Sequence, residues 1–218
     1  MSYLKLFADL KPLTEFKGSI SDFLKFTGDF KKLEKITLVN VKQHSVLELK
    51  NRVNQLINKI PELVNLQSFK LESFHYYQDE ETFNDLFKAL PVDLNSLELP
   101  HFLVDSADKV DKIAALFSTF PKGLKSLDLS NNNLLCYIVP LFEKNSHATP
   151  FSNLPPELVN LNLSENTLEV TSNDRSGYQI RPTCAVNNTL SQLRERKINV
   201  LLTTVADLGE QNEIEFKF

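Results

Sequence analysis

Four histidines (44, 75, 101 and 147), two cysteines (Cys136 and Cys184) and the aspartates Asp105, Asp108 and Asp111 are the natural candidates for metal binding, nucleophilic attack or proton transfer in this 218-residue sequence. Their spacing serves none of these. The histidines form neither HxxxH nor HExxH, and there is no GxSxG or GxxxxGK[ST]. The aspartates stand at i, i+3 and i+6, the pattern of a solvated or capping helix face rather than a metal site. Cys136 lies in an apolar run and reads as a packed thiol. Cys184 has no sequence neighbour that would depress its pKa from the ordinary value of about 8.5. His75-Tyr76-Tyr77 reads as turn packing. No catalytic residue, metal or cofactor is therefore expected. The competing expectation is an enzyme, or a ubiquitin-ligase adaptor, in which Cys184 or a polar loop acts and the rest of the chain grips the substrate.

That loop, Glu169 to Thr183 within a polar insertion at about 169–185, carries Arg175, Tyr178 and Arg181. Arginine and tyrosine are enriched at interface hot spots, and long loops are often functional. Ser172, Asn173, Ser176 and Gly177 equally suit a flexible insertion, so a second binding loop and a mere linker are both open.

The composition narrows the class. A net charge of −4 at pH 7 argues against nucleic acid or an anionic membrane as the main partner. Two distant cysteines suggest neither a disulfide framework nor a zinc site, and point to a reducing compartment. The start, Met1 to Pro12, breaks its apolar run with Lys5 and Asp9 and lacks a signal-peptide pattern. The apolar stretch Leu134 to Phe142 is about half of a membrane span of roughly 20 residues. The expectation is a monomeric soluble protein, either cytosolic or exported without such a signal.

What must position any working residue is a repeated phrase. Leu124-Lys-Ser-Leu127-Asp-Leu129-Ser-Asn-Asn132-Asn-Leu134 and Leu158-Val-Asn-Leu161-Asn-Leu163-Ser-Glu-Asn166-Thr-Leu168 both read LxxLxLxxNxL, and Phe120-Pro121 and Leu154-Pro155 precede them in the same phase. Weaker versions lie at Leu33-xx-Ile36-x-Leu38, Leu66-xx-Phe69-x-Leu71 and Leu94-xx-Leu97-x-Leu99. The last residues of these motifs, 38, 71, 99, 129 and 163, lie 33, 28, 30 and 34 residues apart, which excludes a period of 20 to 24. The intervals leave room for helices. Leu49, Val53, Leu56, Ile57 and Ile60 have helical spacing, as do Phe83, Leu86, Phe87 and Leu90, and Val110, Ile113, Ala114 and Phe117. Asp79 with Glu80, and Asp105 with Asp108, suit helix starts. Looser matches are an opening strand at Tyr3 to Leu6 and a last helix near Asn188 to Arg194 feeding Ile198 to Leu202.

This phrase resembles the leucine-rich-repeat family, and the phrases with their leading prolines look like its ribonuclease-inhibitor-like subtype. The resemblance implies an α/β solenoid, or horseshoe, of about six to seven repeats over residues 1–218. Parallel strands would line the concave face and helices the convex face, since a helix is wider than a strand. Asn132 and Asn166 would turn inwards to satisfy backbone groups of neighbouring turns. The equivalent residues in earlier units are Val41, Phe74 and Phe102, so the first half should seal its turns with aromatic packing.

Strand alternation then puts Thr37, Lys70, Glu98, Asp128 and Asn162 on the concave face. They are flanked by Lys35, Ser68, Ser96, Ser126 and Asn160 on one side and by Val39, Glu72, Pro100, Ser130 and Ser164 on the other. This surface runs from basic through acidic to neutral polar, and it is the expected site for a protein partner, against the plainer reading of a solvated sheet face. The phrasing of the two clear copies is also similar to leucine-rich-repeat effectors that intracellular bacteria inject into host cells. The tail Gly209 to Phe218 reads first as a closing edge strand, because Ile214, Phe216 and Phe218 alternate with polar residues. It also looks like the C-terminal signals of type IV secretion substrates.

Overall fold

The computed structural model describes residues 13–40, 45–76, 79–103, 110–132, 134, 150–166, 191, 193–205 and 211–217. Among the described residues, eight strands form one sheet in chain order: β1 (Glu15–Gly18), β2 (Lys35–Val39), β3 (Ser68–Glu72), β4 (Ser96–Glu98), β5 (Ser126–Asp128), β6 (Asn160–Leu163), β7 (Asn199–Val205) and β8 (Gln211–Phe216). β1 to β7 pair in parallel, and β8 closes the array antiparallel to β7. The helices between them are α1 (Ile20–Leu24), α2 (Val46–Lys59), α3 (Glu80–Ala89) and α4 (Val110–Phe117).

The register follows the repeated phrase in every unit where it was read. Ile36, Phe69, Leu97, Leu127, Leu161 and Val200 form one cross-strand column, and every one of them is at most 1% exposed. The helices cover the same core. α2 begins at Ser45, whose hydroxyl accepts the Glu48 N–H, and buries Leu49, Val53 and Leu56. α3 begins at Asp79, whose carboxylate accepts from the Thr82 N–H and hydroxyl, and buries Phe83, Leu86 and Phe87. α1 has a capping box. Hydrogen bonds from the Ser19 hydroxyl and N–H draw the Asp22 carboxyl below its ordinary pKa.

The first unit departs from expectation. The strand proposed at Tyr3 to Leu6 lies outside the described residues, and β1 uses Glu15-Phe16-Lys17-Gly18 instead. Gly18 pairs with Leu38, only 20 residues on, so the long period does not hold for this unit. The five-residue α1 and a 3-10 turn at Phe30–Lys32 replace a full helix. Leu13-xx-Phe16-x-Gly18 keeps the phase of the phrase in degraded form. Gly18 offers no side chain to the core, and Leu13, in the place of a buried leucine, is 56% exposed. Four edge-to-face rings, Phe16, Phe23, Phe26 and Phe30, with centroids 5.1 to 5.7 Å apart, pack this end of the array. Between β5 and β6 the described residues hold a 3-10 turn at Pro150–Asn153 and no α-helix. At the other end, helical residues 193–195 lead into β7, and the tail forms β8, as read from its alternation.

Two main-chain devices recur. At the start of the strands, the carbonyls of Thr14, Glu34, Gln67, Asn95 and Lys125 each accept two successive N–H groups from the following unit, at 2.7 to 3.0 Å. After the strands, Ser73, His101, Asn131 and Glu165 all adopt positive φ, between 56° and 63°, two residues beyond the last core residue of their phrase. Asparagine and glycine tolerate this conformation, whereas other residues strain to reach it. Ser73→Asn is therefore expected to raise unfolding stability by about 0.5 kcal/mol, and Ser73→Val to lower it by about 1 kcal/mol. Urea denaturation of both variants measures this, and equal midpoints would remove the strain argument.

Candidate functional site on the concave sheet face

The sheet face opposite the core carries three in-register columns. The first runs Glu15, Lys35, Ser68, Ser96, Ser126, Asn160 and Asn199; the second runs Lys17, Thr37, Lys70, Glu98, Asp128, Asn162 and Leu201. The third begins with Val39 beside Glu72 and continues along the chain at Pro100, Ser130 and Ser164. The structure thus brings all nine proposed concave-face residues, Lys35 to Asn162, onto one surface.

Three details differ from a simple charged gradient. First, the charges on β1 to β4 are largely paired. Lys70 meets Glu98 at 3.3 Å, and Lys17 reaches across β2 to Glu72 at 4.0 Å. Such solvent-facing pairs are each worth about 0–1 kcal/mol, so they balance charge across the face more than they stabilise the fold. Second, Thr37 is only 7% exposed, because the long side chains of Lys17 and Lys70 stand on the strands to either side of it. It lies on this face as the floor of a depression of about 260 Å³, whose lining also includes Glu15, Lys35, Glu72 and Glu98. Third, Asp128 and Asn162 have structural work: their Oδ1 atoms accept the Ser130 and Ser164 N–H groups at 2.8 and 2.9 Å. Apart from Leu201 on β7, the face over β5 to β7 is otherwise polar and uncharged, with Asn199 donating to Asn160 at 3.2 Å.

The structural asparagines behave as expected. Asn132 and Asn166 are fully buried. Asn132 Oδ1 accepts the Leu103 N–H at 2.6 Å, and its Nδ2 donates to the Leu99 and Ser130 carbonyls at 2.8 and 3.1 Å. Asn166 Oδ1 accepts the Asn132 and Leu134 N–H groups, each at 3.0 Å. Its Nδ2 donates to the carbonyls of Leu129, Leu163 and Ser164 at 2.9, 2.9 and 3.3 Å. Phe74 and Phe102 occupy the equivalent places and are buried among rings, and there the Phe102 carbonyl accepts the Tyr76 N–H at 2.8 Å.

Sequence reading missed Arg196. Its guanidinium donates to the carbonyls of Phe151, Leu154 and Pro155 at 3.2, 3.1 and 2.6 Å, tying the last helical turn to the preceding unit. Burial draws its pKa below the ordinary guanidinium value. No motif marks it; only its place one turn before β7 could have hinted at a carbonyl cap. Arg175, Tyr178, Arg181, Cys136, Cys184, His44, His147, Tyr77, Asp105 and Asp108 lie outside the described residues. Among the described residues, no group of three or more His, Cys, Asp or Glu side chains is placed to hold a metal, and no helix is long and apolar enough to cross a membrane.

Seven parallel strands advancing one per repeat, with LxxLxL side chains buried under helices and turns and asparagines sealing the turns, define a leucine-rich-repeat solenoid of the α/β class. The same fold occurs in the crystal structure of the leucine-rich repeat-containing protein LegL7 from Legionella pneumophila, to which this chain is similar with a TM-score of 0.54 and 18% identity over 75% of its length. The chain spans about half of that protein, 51% of its length. At this identity the likeness is one of fold. No protein-family model and no curated protein matches the chain.

Proposed function

We propose that this chain is a non-enzymatic interaction module that holds a protein partner on its concave face. The observation that carries this reading is the in-register face itself. Six successive parallel pairings fix the backbone spacing of its polar columns before any partner arrives, so binding has only side chains left to order. In the finer form of the proposal, the protein is a translocated bacterial effector and the partner a host protein. The effector-like phrasing of the two clear repeats supports it, together with a fold shared with a Legionella protein.

The test is affinity capture from eukaryotic cell lysate with mass spectrometry, comparing the intact protein with a Glu98→Lys, Ser126→Arg double variant. Asp128 is left alone because its carboxylate holds the Ser130 N–H. Both substituted residues face outward on adjacent strands, so circular dichroism should be unchanged while a specific host protein is lost. A folded variant that retains the same partners would exclude the concave face as the site.

A further inference from the structure

Thr37 combines two properties that do not ordinarily coexist. Its side chain points to the concave face, where it lines the depression of about 260 Å³, yet the residue is only 7% exposed. No partner accepts from or donates to its hydroxyl among the described residues. With no protein partner among the described residues, the hydroxyl is left to whatever occupies the depression it lines, water or a ligand group.

The surrounding charges say what would satisfy it. The neighbours of Thr37 on its own face are Lys17 and Lys70, in register on the flanking strands, and Lys35, two residues earlier on β2. The lining carboxylates, Glu15, Glu72 and Glu98, all lie one position further out. Lys17 and Lys70 are engaged with Glu72 and Glu98. Lys35 is exposed and has no ion-pair partner among the described residues. The site thus offers one uncommitted ammonium and one uncommitted hydroxyl, two donors for the two oxygens of a single carboxylate. A phosphate dianion would exceed the one free positive charge. Glu15, beside Lys35 and likewise without an ion-pair partner among the described residues, suits a cation next to that carboxylate.

We infer that the depression over Thr37 seats a carboxylate side chain of the protein partner, held by the Lys35 ammonium and the Thr37 hydroxyl. This rests on the reading that a protein occupies the concave face, and it names the chemistry recognised at the β1 to β4 end.

The test needs no identified partner. N-acetylglutamate amide is titrated into isotopically labelled protein at constant ionic strength, with the Thr37 methyl and the Lys35 and Lys70 amides as NMR reporters. The expected result is a saturable shift at all three, absent with the neutral isostere N-acetylglutamine amide and weakened about tenfold by Lys35→Gln, equivalent to about 1.4 kcal/mol. Thr37→Val, which keeps the shape and removes the hydroxyl, should weaken it severalfold at the two amide reporters. Shifts that do not saturate, equal shifts with the glutamine isostere, or tighter binding of N-acetylphosphoserine amide would each overturn the carboxylate seat. A failed titration beside successful capture would overturn this site alone. Saturation beside failed capture would keep the site and overturn the interaction module.

Discussion

Asn166→Ala is expected to lower unfolding stability by about 4 kcal/mol, the upper range for a single side chain. The size follows from five hydrogen bonds made by one fully buried amide. Alanine removes the acceptor shared by the Asn132 and Leu134 N–H groups, leaving both donors buried, and also removes the two donors that three carbonyls share. Each orphaned buried N–H costs about 1–3 kcal/mol on its own. Aspartate would not rescue the site, since it lacks the donors and brings a charge into the core. Urea denaturation gives the total. Amide hydrogen exchange gives the location, with protection lost first at Asn132 and Leu134 and then, through the displaced Asn132, at Leu103. A loss below about 1 kcal/mol would mean that water replaces the amide and that the ladder is not what holds these turns.

In the first half of the array the largest effect is expected at Phe102. The ring is completely buried and meets Phe83 at 5.0 Å, Tyr76 at 5.7 Å and Phe87 at 5.7 Å. Phe102→Ala is expected to cost about 4 kcal/mol through lost burial and the cavity left among three rings. Phe102→Leu keeps much of the volume and should cost about 1.5 kcal/mol. The informative variant is Phe102→Asn, which restores the residue of the repeat phrase. It should be at least as damaging as alanine, because the Tyr76 amide there is already satisfied by the Phe102 carbonyl and an asparagine would find a ring-shaped void. Denaturation of the three variants settles the order. An asparagine variant as stable as the parent would show that one sealing device can be exchanged for the other.

These two positions also show what a sequence can disclose. The asparagines were legible because the phrase isolates them at one place in two copies, and a buried amide there has no other work to do. The aromatic seal was legible by elimination, from phenylalanines standing in the asparagine position. The register of β2 to β6 followed from leucine spacing, because a slip of one residue would turn each core column outward. The faces of α2 and α3 followed from their apolar spacing, whereas on α4 Ile113 and Phe117 are buried as expected but Leu116 is buried and Ala114 only half-buried. β1 was not legible: Glu15 to Gly18 has one large apolar residue, and only its pairing with Lys35 to Leu38 makes it a strand. On the candidate face, sequence alternation placed the residues but not their engagements. Asp128 is a turn cap through a contact with Ser130 only two residues on, which alternation alone does not show, whereas whether Lys70 is free or bound to Glu98, and whether Thr37 is open or covered, depend on distances between separate strands. Arg196 escaped notice for the same reason, since the three carbonyls it binds lie more than 40 residues earlier.

The paired N–H bonds to the carbonyls of Thr14, Glu34, Gln67, Asn95 and Lys125 couple each unit to the next without using a side chain. The residues at those five positions are all polar but carry four different groups: a hydroxyl, a carboxylate, two amides and an ammonium. Alignment of the strands is thereby insulated from the identity of what they display. Apart from Asp128 and Asn162, whose side chains hold the following turns, mutation can rewrite the exposed columns one side chain at a time without disturbing the spacing between them. A lineage that must follow a changing partner inherits a fixed grid on which only the letters vary, and two such proteins can keep the grid after their letters have largely diverged.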